Sequence, residues 1–350
     1  MRTSPEVLGR TLAAAPDPDL ARLALSRVGE DRAAREALED HLPAAAALLG
    51  FSTAAADFLS RHPGETADVL RADPRTRTQL LAEAEGTVAR LGPEAGLRRF
   101  RRRALWRLAT RDLLGAEVDE VVAEMTGIAE ACLEVAAAAV RAPLAIIGMG
   151  KLGGAELNYA SDVDVIFVHG DDPERGAAAA RRLLALLSAP TADGVALRVD
   201  TDLRPEGRAG PLTRSAPATL EYYRRHAATW ERQALLKARS VAGERGLGER
   251  LLEDLASVIY PERIDPGAID DVRGMKVRIE EYVRARGKES TEVKRGRGGI
   301  RDVEFAVQLL QMVHGRRDPA LRTANTLAAL AALGSEGYVA VADAVALADS

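Results

Sequence analysis

Cysteine is nearly absent. Cys132 stands alone, which excludes an intrachain disulfide framework and any cysteine-based zinc site within one chain. Aromatic residues make up 4% of the sequence, so its core must be built from aliphatic and small side chains. Histidine is scarce as well: His41, His62, His169, His226 and His314 are scattered without ligand spacing, and no serine–histidine arrangement accompanies them. No apolar run reaches membrane-spanning length, because Glu130, Glu134 and Arg141 interrupt the best candidate. The opening MRTSPEVLGR has no apolar segment of the secretory kind. Neither charge sign dominates: 48 basic against 52 acidic residues leave a formal net charge of -4, so no global basic field draws the chain to nucleic acid. Together these absences predict a protein of the reducing cytoplasm.

What is present is alanine, leucine and arginine, with 47% hydrophobic and 29% charged residues over 350 positions. That suits a largely helical chain long enough for two or three packed units. Residues 1–142 read as helices. Asp17-Pro18-Asp19 starts one over 20–28, 44–59 is an amphipathic stretch broken by Arg61-His62-Pro63-Gly64, and 97–114 and 118–140 are two long helices. The arginines between 98 and 103 are read either as phosphate contacts or as a solvated or ion-paired helix face. Residues 143–215 switch to strand-like patterning, and 216–350 return to helix. The predicted fold is therefore α+β and predominantly helical, with a small mixed sheet between an N-terminal helical region (1–142) and a C-terminal helical bundle (216–350). The last residues, VADAVALADS, read as helix stopped mid-pattern, so the chain is expected to be a piece of something longer.

The densest chemistry lies in residues 148–164, GMGKLGGAELNYASDVD. Four glycines and Lys151 precede Asp162-x-Asp164, which enters the apolar run 165–168. Residues two apart on a strand share a face, so both carboxylates aim at one spot, where their repulsion is relieved by a divalent cation; Mg²⁺ takes one or two carboxylates plus substrate phosphates. The glycines let backbone N–H groups approach a phosphate. A dinucleotide site matches Gly148-x-Gly150-x-x-Gly153, but the few residues before the acid-bearing strand leave no room for a crossover helix between parallel strands. A P-loop needs Ser or Thr after the lysine, and Leu152 stands there. A solvated acidic strand end without metal remains the plain alternative.

Further along, 195–203 alternates as a half-buried strand, with Val195, Leu197 and Val199 on one face and Asp200 and Asp202 on the other. It brings a third carboxylate and a fourth. Residues 204–210 form a loop, and Ser215 an N-cap. Residues 222–238 read as one helix carrying Arg232, Leu236 and Arg239 on one face, lining a phosphate or facing solvent. Lys294-Arg295-Gly296-Arg297-Gly298-Gly299 is a basic glycine loop opening a helix at Arg301, a second candidate anion site.

The pattern G-K-L-G-G-x-E-L-N-x-x-S-D-x-D over 150–164 resembles the signature of the glutamine synthetase adenylyltransferase/deadenylylase family, which is similar in its core to the DNA polymerase β-type nucleotidyltransferases. The resemblance continues through Val199-Asp200-x-x-Leu203-Arg204-Pro205, through Trp230-Glu231-Arg232-Gln233-Ala234-Leu235-Leu236-Lys237-Ala238-Arg239 and through Gly298-Gly299-Ile300-Arg301-Asp302-Val303-Glu304-Phe305. Arg297 departs from it, since the family usually has proline there. The family's enzymes carry two such halves: one removes AMP from a tyrosine of glutamine synthetase by phosphorolysis, giving ADP, and the other attaches AMP from ATP. Asn158, in Glu156-Leu157-Asn158-Tyr159, makes this chain similar to the N-terminal, AMP-removing half. The resemblance implies two Mg²⁺ ions, with Mn²⁺ as the alternative, on Asp162, Asp164 and Asp200. It implies a phosphate cradle from Gly153, Gly154 and Ser161, and Lys151, Arg204 and Lys237 against the remaining negative charge. Adenylylated glutamine synthetase, inorganic phosphate, ADP or ATP and a PII-type signalling protein are the implied partners. The alternatives are adenylyl transfer from ATP and a silent binding module.

Overall fold

The computed structural model describes residues 4–262, 266–285 and 299–349. Two compact units emerge: Met1–Ala139 with Leu157–Ala160 and Leu184–Arg198, and Val140–Glu156 with Ser161–Leu183 and Val199–Ser350.

The first unit is helical. Its starts are written in the sequence: the Asp17 side chain accepts from the Asp19 and Leu20 N–H groups ahead of Pro18–Val28, and Thr76 and Gln79 form a reciprocal capping box before Arg77–Leu91. The stretch read as one helix over 44–59 is two, Leu42–Phe51 and Thr53–Arg61, bent by 118°. Ser52 makes the break, because it is extended and its hydroxyl accepts from the Ala55 N–H as a new N-cap. Among the described residues no single helix is long and apolar enough to cross a membrane. The core gathers Leu48, Leu49, Phe58, Leu59, Val69 and Leu70.

The arginine-rich helix Pro93–Leu113 turns its charges inward rather than towards solvent. Arg98 is buried and donates to the carbonyls of Glu94, Leu186, Ala189 and Gly194 at 2.5–3.3 Å. Arg107, 0% exposed, meets Asp68 at 2.9 Å and Glu83 at 3.0 Å, and Arg103 reaches Glu65 and Glu83. Within the run, Arg99 and Arg103 are ion-paired, with acids from 65–83, while Arg98 is spent on backbone carbonyls. These contacts pair the buried charges, which alone would cost several kcal/mol each, although Arg103 Nε and Arg107 Nε and Nη2 stay without a hydrogen-bond partner.

The second unit is built on a five-stranded mixed sheet: β1 (Leu144–Gly148), β2 (Val163–His169), β3 (Val199–Asp200), β4 (Thr213–Ser215) and β5 (Arg239–Gly243). β1 lies antiparallel to both β2 and β5, while β3 and β4 run parallel to β2 at its start and its end. The antiparallel β1–β2 pair excludes the dinucleotide reading, which requires a parallel pair with a crossover helix between. Ala145, Ile147, Ile166 and Val168 share a core cluster with Tyr222, Tyr223, Leu251 and Leu255, which come from the helices Ala216–Arg225 and Arg245–Ile259. Further on, Val307, Leu321, Leu330 and Leu333 form a smaller cluster.

One strand expectation and one helix expectation need correction. The strand expected over 195–203 shrinks to Val199–Asp200, because the Ala196 and Leu197 N–H groups turn back to the Leu187 carbonyl at 2.9 and 3.0 Å. The helix expected over 222–238 ends at Arg225. A short helix (Thr229–Ala234) and one 3₁₀ turn (Leu235–Lys237) follow, and Arg239 opens β5. Arg239 consequently shares no helix face with Arg232. β5 closes on β1 so tightly that a Cβ at Gly243 (φ +71°) would stand 2.2 Å from the Leu144 carbonyl oxygen.

Candidate active site

β1 runs out at Gly148 into one turn of helix, Gly150–Gly153. The chain then returns to Asp162 and β2. The Met149 N–H donates to the Asp164 carbonyl at 2.9 Å, tying the turn to the head of β2. Gly150 has φ +49°, and a Cβ there would come 2.9 Å from Asp164 Oδ2. A side chain at 150 would be strained and would crowd this carboxylate, so the glycine leaves the acid its space.

The parallel register pairs Asp164 with Asp200, and Val163 with Val199. Two acids from segments 36 positions apart in sequence thus become ladder neighbours on adjacent strands. Asp162 precedes β2 by one residue and is exposed, whereas Asp164 and Asp200 are half-buried. Asp200 Oδ1 accepts from the Asp202 N–H at 2.7 Å, and the Asp202 carboxylate is taken by Arg208 at 2.7 Å. Three carboxylates at the head of two strands suit a hard, oxygen-seeking cation. Among the described residues, however, no group of three or more His, Cys, Asp or Glu side chains is drawn together closely enough to hold a metal ion. What supports a cation here is the backbone register and the donor chemistry, not a closed cage.

The residues assigned to phosphate by resemblance are differently occupied. The Gly153 and Gly154 N–H groups donate within the turn, to Met149 and Gly150 carbonyls, both at 3.0 Å. Gly153 is needed for packing: a Cβ there would lie 1.7 Å from the Lys237 carbonyl oxygen. Arg204 is spent on its own loop, donating to Thr201 O and Oγ1 at 2.9 and 3.0 Å and to Gly210 O. Lys237 is buried, its ammonium 2.5 Å from Glu156 Oε2, 3.1 Å from Glu304 Oε1 and 2.7 Å from Thr326 Oγ1. A phosphate would have to displace these acids, so the structure gives Lys237 another task. Lys151 and Ser161 are half-buried at the turn and beside Asp162. Of the second anion loop, residues 294–298 lie outside the described residues.

No sequence signal marks Glu156, Glu304, Asn325 and Thr326 as one group. Glu156 and Glu304 stand inside recognised motifs, but nothing in their spacing shows a shared partner. The Leu157–Ala160 segment belongs with the helical unit: the Leu157 N–H donates to Thr126 Oγ1 at 3.2 Å, and the Tyr159 hydroxyl to Asp112 Oδ2 at 3.0 Å. Burial and that carboxylate hold the Tyr159 phenol well above its ordinary range, so it stays a neutral donor.

A family model described as glutamate-ammonia ligase adenylyltransferase matches residues 43–254. The chain belongs to this family. A second model, described as PII-uridylyltransferase, matches residues 273–350. Among curated proteins, the bifunctional glutamine synthetase adenylyltransferase/adenylyl-removing enzyme of Streptomyces avermitilis is 44% identical, over 97% of this chain and 37% of its own length. That of Streptomyces coelicolor is 41% identical (99% and 38%), and that of Mycobacterium tuberculosis strain H37Rv 39% identical (95% and 36%). The chain thus spans little more than a third of the relatives it matches.

Proposed function

We propose that this chain carries the AMP-removing activity: phosphorolysis of adenylyl-tyrosine on glutamine synthetase, with release of ADP. The observation that carries the reading is the pairing of Asp164 with Asp200 in the β2–β3 ladder, with Asp162 two residues ahead. Asn158 in the Glu156–Tyr159 part of the motif favours removal over attachment.

Asp162, Asp164 and Asp200 would hold Mg²⁺, which when bound supplies charge neutralisation for the phosphoryl oxygens. An oxygen of inorganic phosphate attacks the AMP phosphorus, the bond to the tyrosine oxygen breaks, and the phenolate leaves and takes up a proton. The products are ADP and the unmodified tyrosine side chain of glutamine synthetase. The nucleophile is already anionic, so no strong protein base is required, and the chain's contribution is positioning and electrostatics. Gly150 keeps the backbone clear of the Asp164 carboxylate, and the Asp202 N–H fixes one oxygen of Asp200. Lys151 stands at the second position of the turn. A PII-type partner at residues 273–350 is part of the same proposal, since the second family model covers them.

Incubation with adenylylated glutamine synthetase, phosphate and Mg²⁺ tests it. ADP must appear with loss of phosphate. AMP attachment from ATP with pyrophosphate release, and no ADP from the adenylylated substrate, would assign the opposite activity; neither reaction would leave a binding module.

A further inference from the structure

Three motifs that look independent in sequence converge on one ammonium group. Glu156 follows the glycine turn, Lys237 ends the 3₁₀ turn Leu235–Lys237 within the Trp230–Arg239 motif, and Glu304 lies in the helix Ile300–His314. Lysine offers three N–H donors, and here three acceptors meet them: Glu156, Glu304 and Thr326. Two carboxylates on one cation leave an excess negative charge. It is met by the Thr326 N–H, which donates to Glu156 Oε1 at the start of the helix Thr326–Ser335, where the helix dipole favours an anion. Asn325, the N-cap of that helix, adds a bond from Nδ2 to the Gly154 carbonyl at 3.1 Å. From the other side the Lys237 carbonyl packs under Gly153, and Arg239 donates to the Leu152 and Gly153 carbonyls, both at 3.0 Å.

We propose that Lys237 is a positioning residue. Its ammonium, shared by Glu156, Glu304 and Thr326, locks the glycine turn at 150–156 to the helix that begins at Thr326. It acts on the acids through that turn, whose first residue, Gly150, abuts the Asp164 carboxylate. A lysine so engaged has no N–H left for phosphate, which separates this role from that of a phosphate ligand.

The test is Lys237→Met in the full chain, with two readouts. Hydrogen exchange at the Gly154, Glu156 and Thr326 amides is expected to rise together by about tenfold or more, while the β1–β2 ladder amides stay protected. In the phosphorolysis assay, which rests on the proposed function, kcat falls and KM for phosphate is unchanged; Lys237→Arg restores part of both. Unchanged exchange, or a raised phosphate KM at constant kcat, overturns the proposal. If Lys237→Met does not fold, Glu304→Leu and Thr326→Val each remove one acceptor and must loosen the same amides; their failure to do so overturns it equally. If the wild-type chain shows no phosphorolysis, the functional reading falls while the exchange result still decides the latch.

Discussion

Gly153 abuts the Lys237 carbonyl oxygen, with no room for a single extra carbon. The contact is between backbones, so no side-chain rotation relieves it. Gly153→Ala is expected to cost about 3 kcal/mol, at the upper end for overpacking. Gly154→Ala meets nothing nearer than 3.0 Å and should cost less. Urea denaturation of the two variants checks the order; equal stabilities would mean the turn is free to move away from Lys237.

The acid assignment predicts unequal effects for neighbouring aspartates. Asp164→Asn and Asp200→Asn should each lower turnover at least about a hundredfold. Stability should hold or rise slightly, because one of two adjacent like charges is removed. Asp202→Asn should leave most activity, since that carboxylate serves Arg208. Steady-state kinetics on the three variants decide the matter, and full activity in Asp200→Asn with loss in Asp202→Asn would reverse the assignment.

Arg107 anchors the buried charges of the helical unit. Arg107→Met leaves Asp68 and Glu83 short of a cation in a half-buried setting, and about 3–5 kcal/mol of stability should be lost. Because Arg75 and Arg103 also reach Glu83, a double-mutant cycle with Glu83→Gln should show clear non-additivity.

Cys132 is fully buried, and burial pushes its thiol from an ordinary value of 9.0 up to about 12, with Arg101 offsetting this in part. A group raised on folding stabilises the fold in its protonated form. That contribution is fully present below pH 9 and is lost as pH rises towards 12. At pH 8 the native thiol should resist iodoacetamide and react only in denaturant. Rapid alkylation of the folded chain would contradict the burial.

How much of this was legible beforehand follows the range of the interactions. β1 and β2 are legible because their signals are local: an apolar run beside a glycine cluster. So is the Asp17 cap, a contact within three residues. The bend at Ser52 hid in an alanine-rich stretch whose hydrophobic pattern runs straight through it. β5 reads as helix in sequence because Ser240–Gly243 becomes a strand only by pairing with β1, nearly a hundred residues earlier. Lys237 was the hardest case. Its charge pointed to phosphate, while its partners, 81 residues before and 89 after, leave no trace in spacing.

The β2–β3 ladder has only two residue pairs. Strand pairing that short does little to resist slipping, and a slip of one residue would send Asp200 to the opposite face. Its place is set instead by the folded loop behind it, where the Arg204 N–H and guanidinium both return to the Thr201 carbonyl and the Asp202 N–H returns to Asp200. The segment between Asp200 and Gly210 therefore works as a ruler. Its side chains can vary where they face water, but its length cannot: one residue inserted or deleted between Asp200 and Arg204 would shift the third acid out of step with Asp164 and leave the rest of the sheet standing.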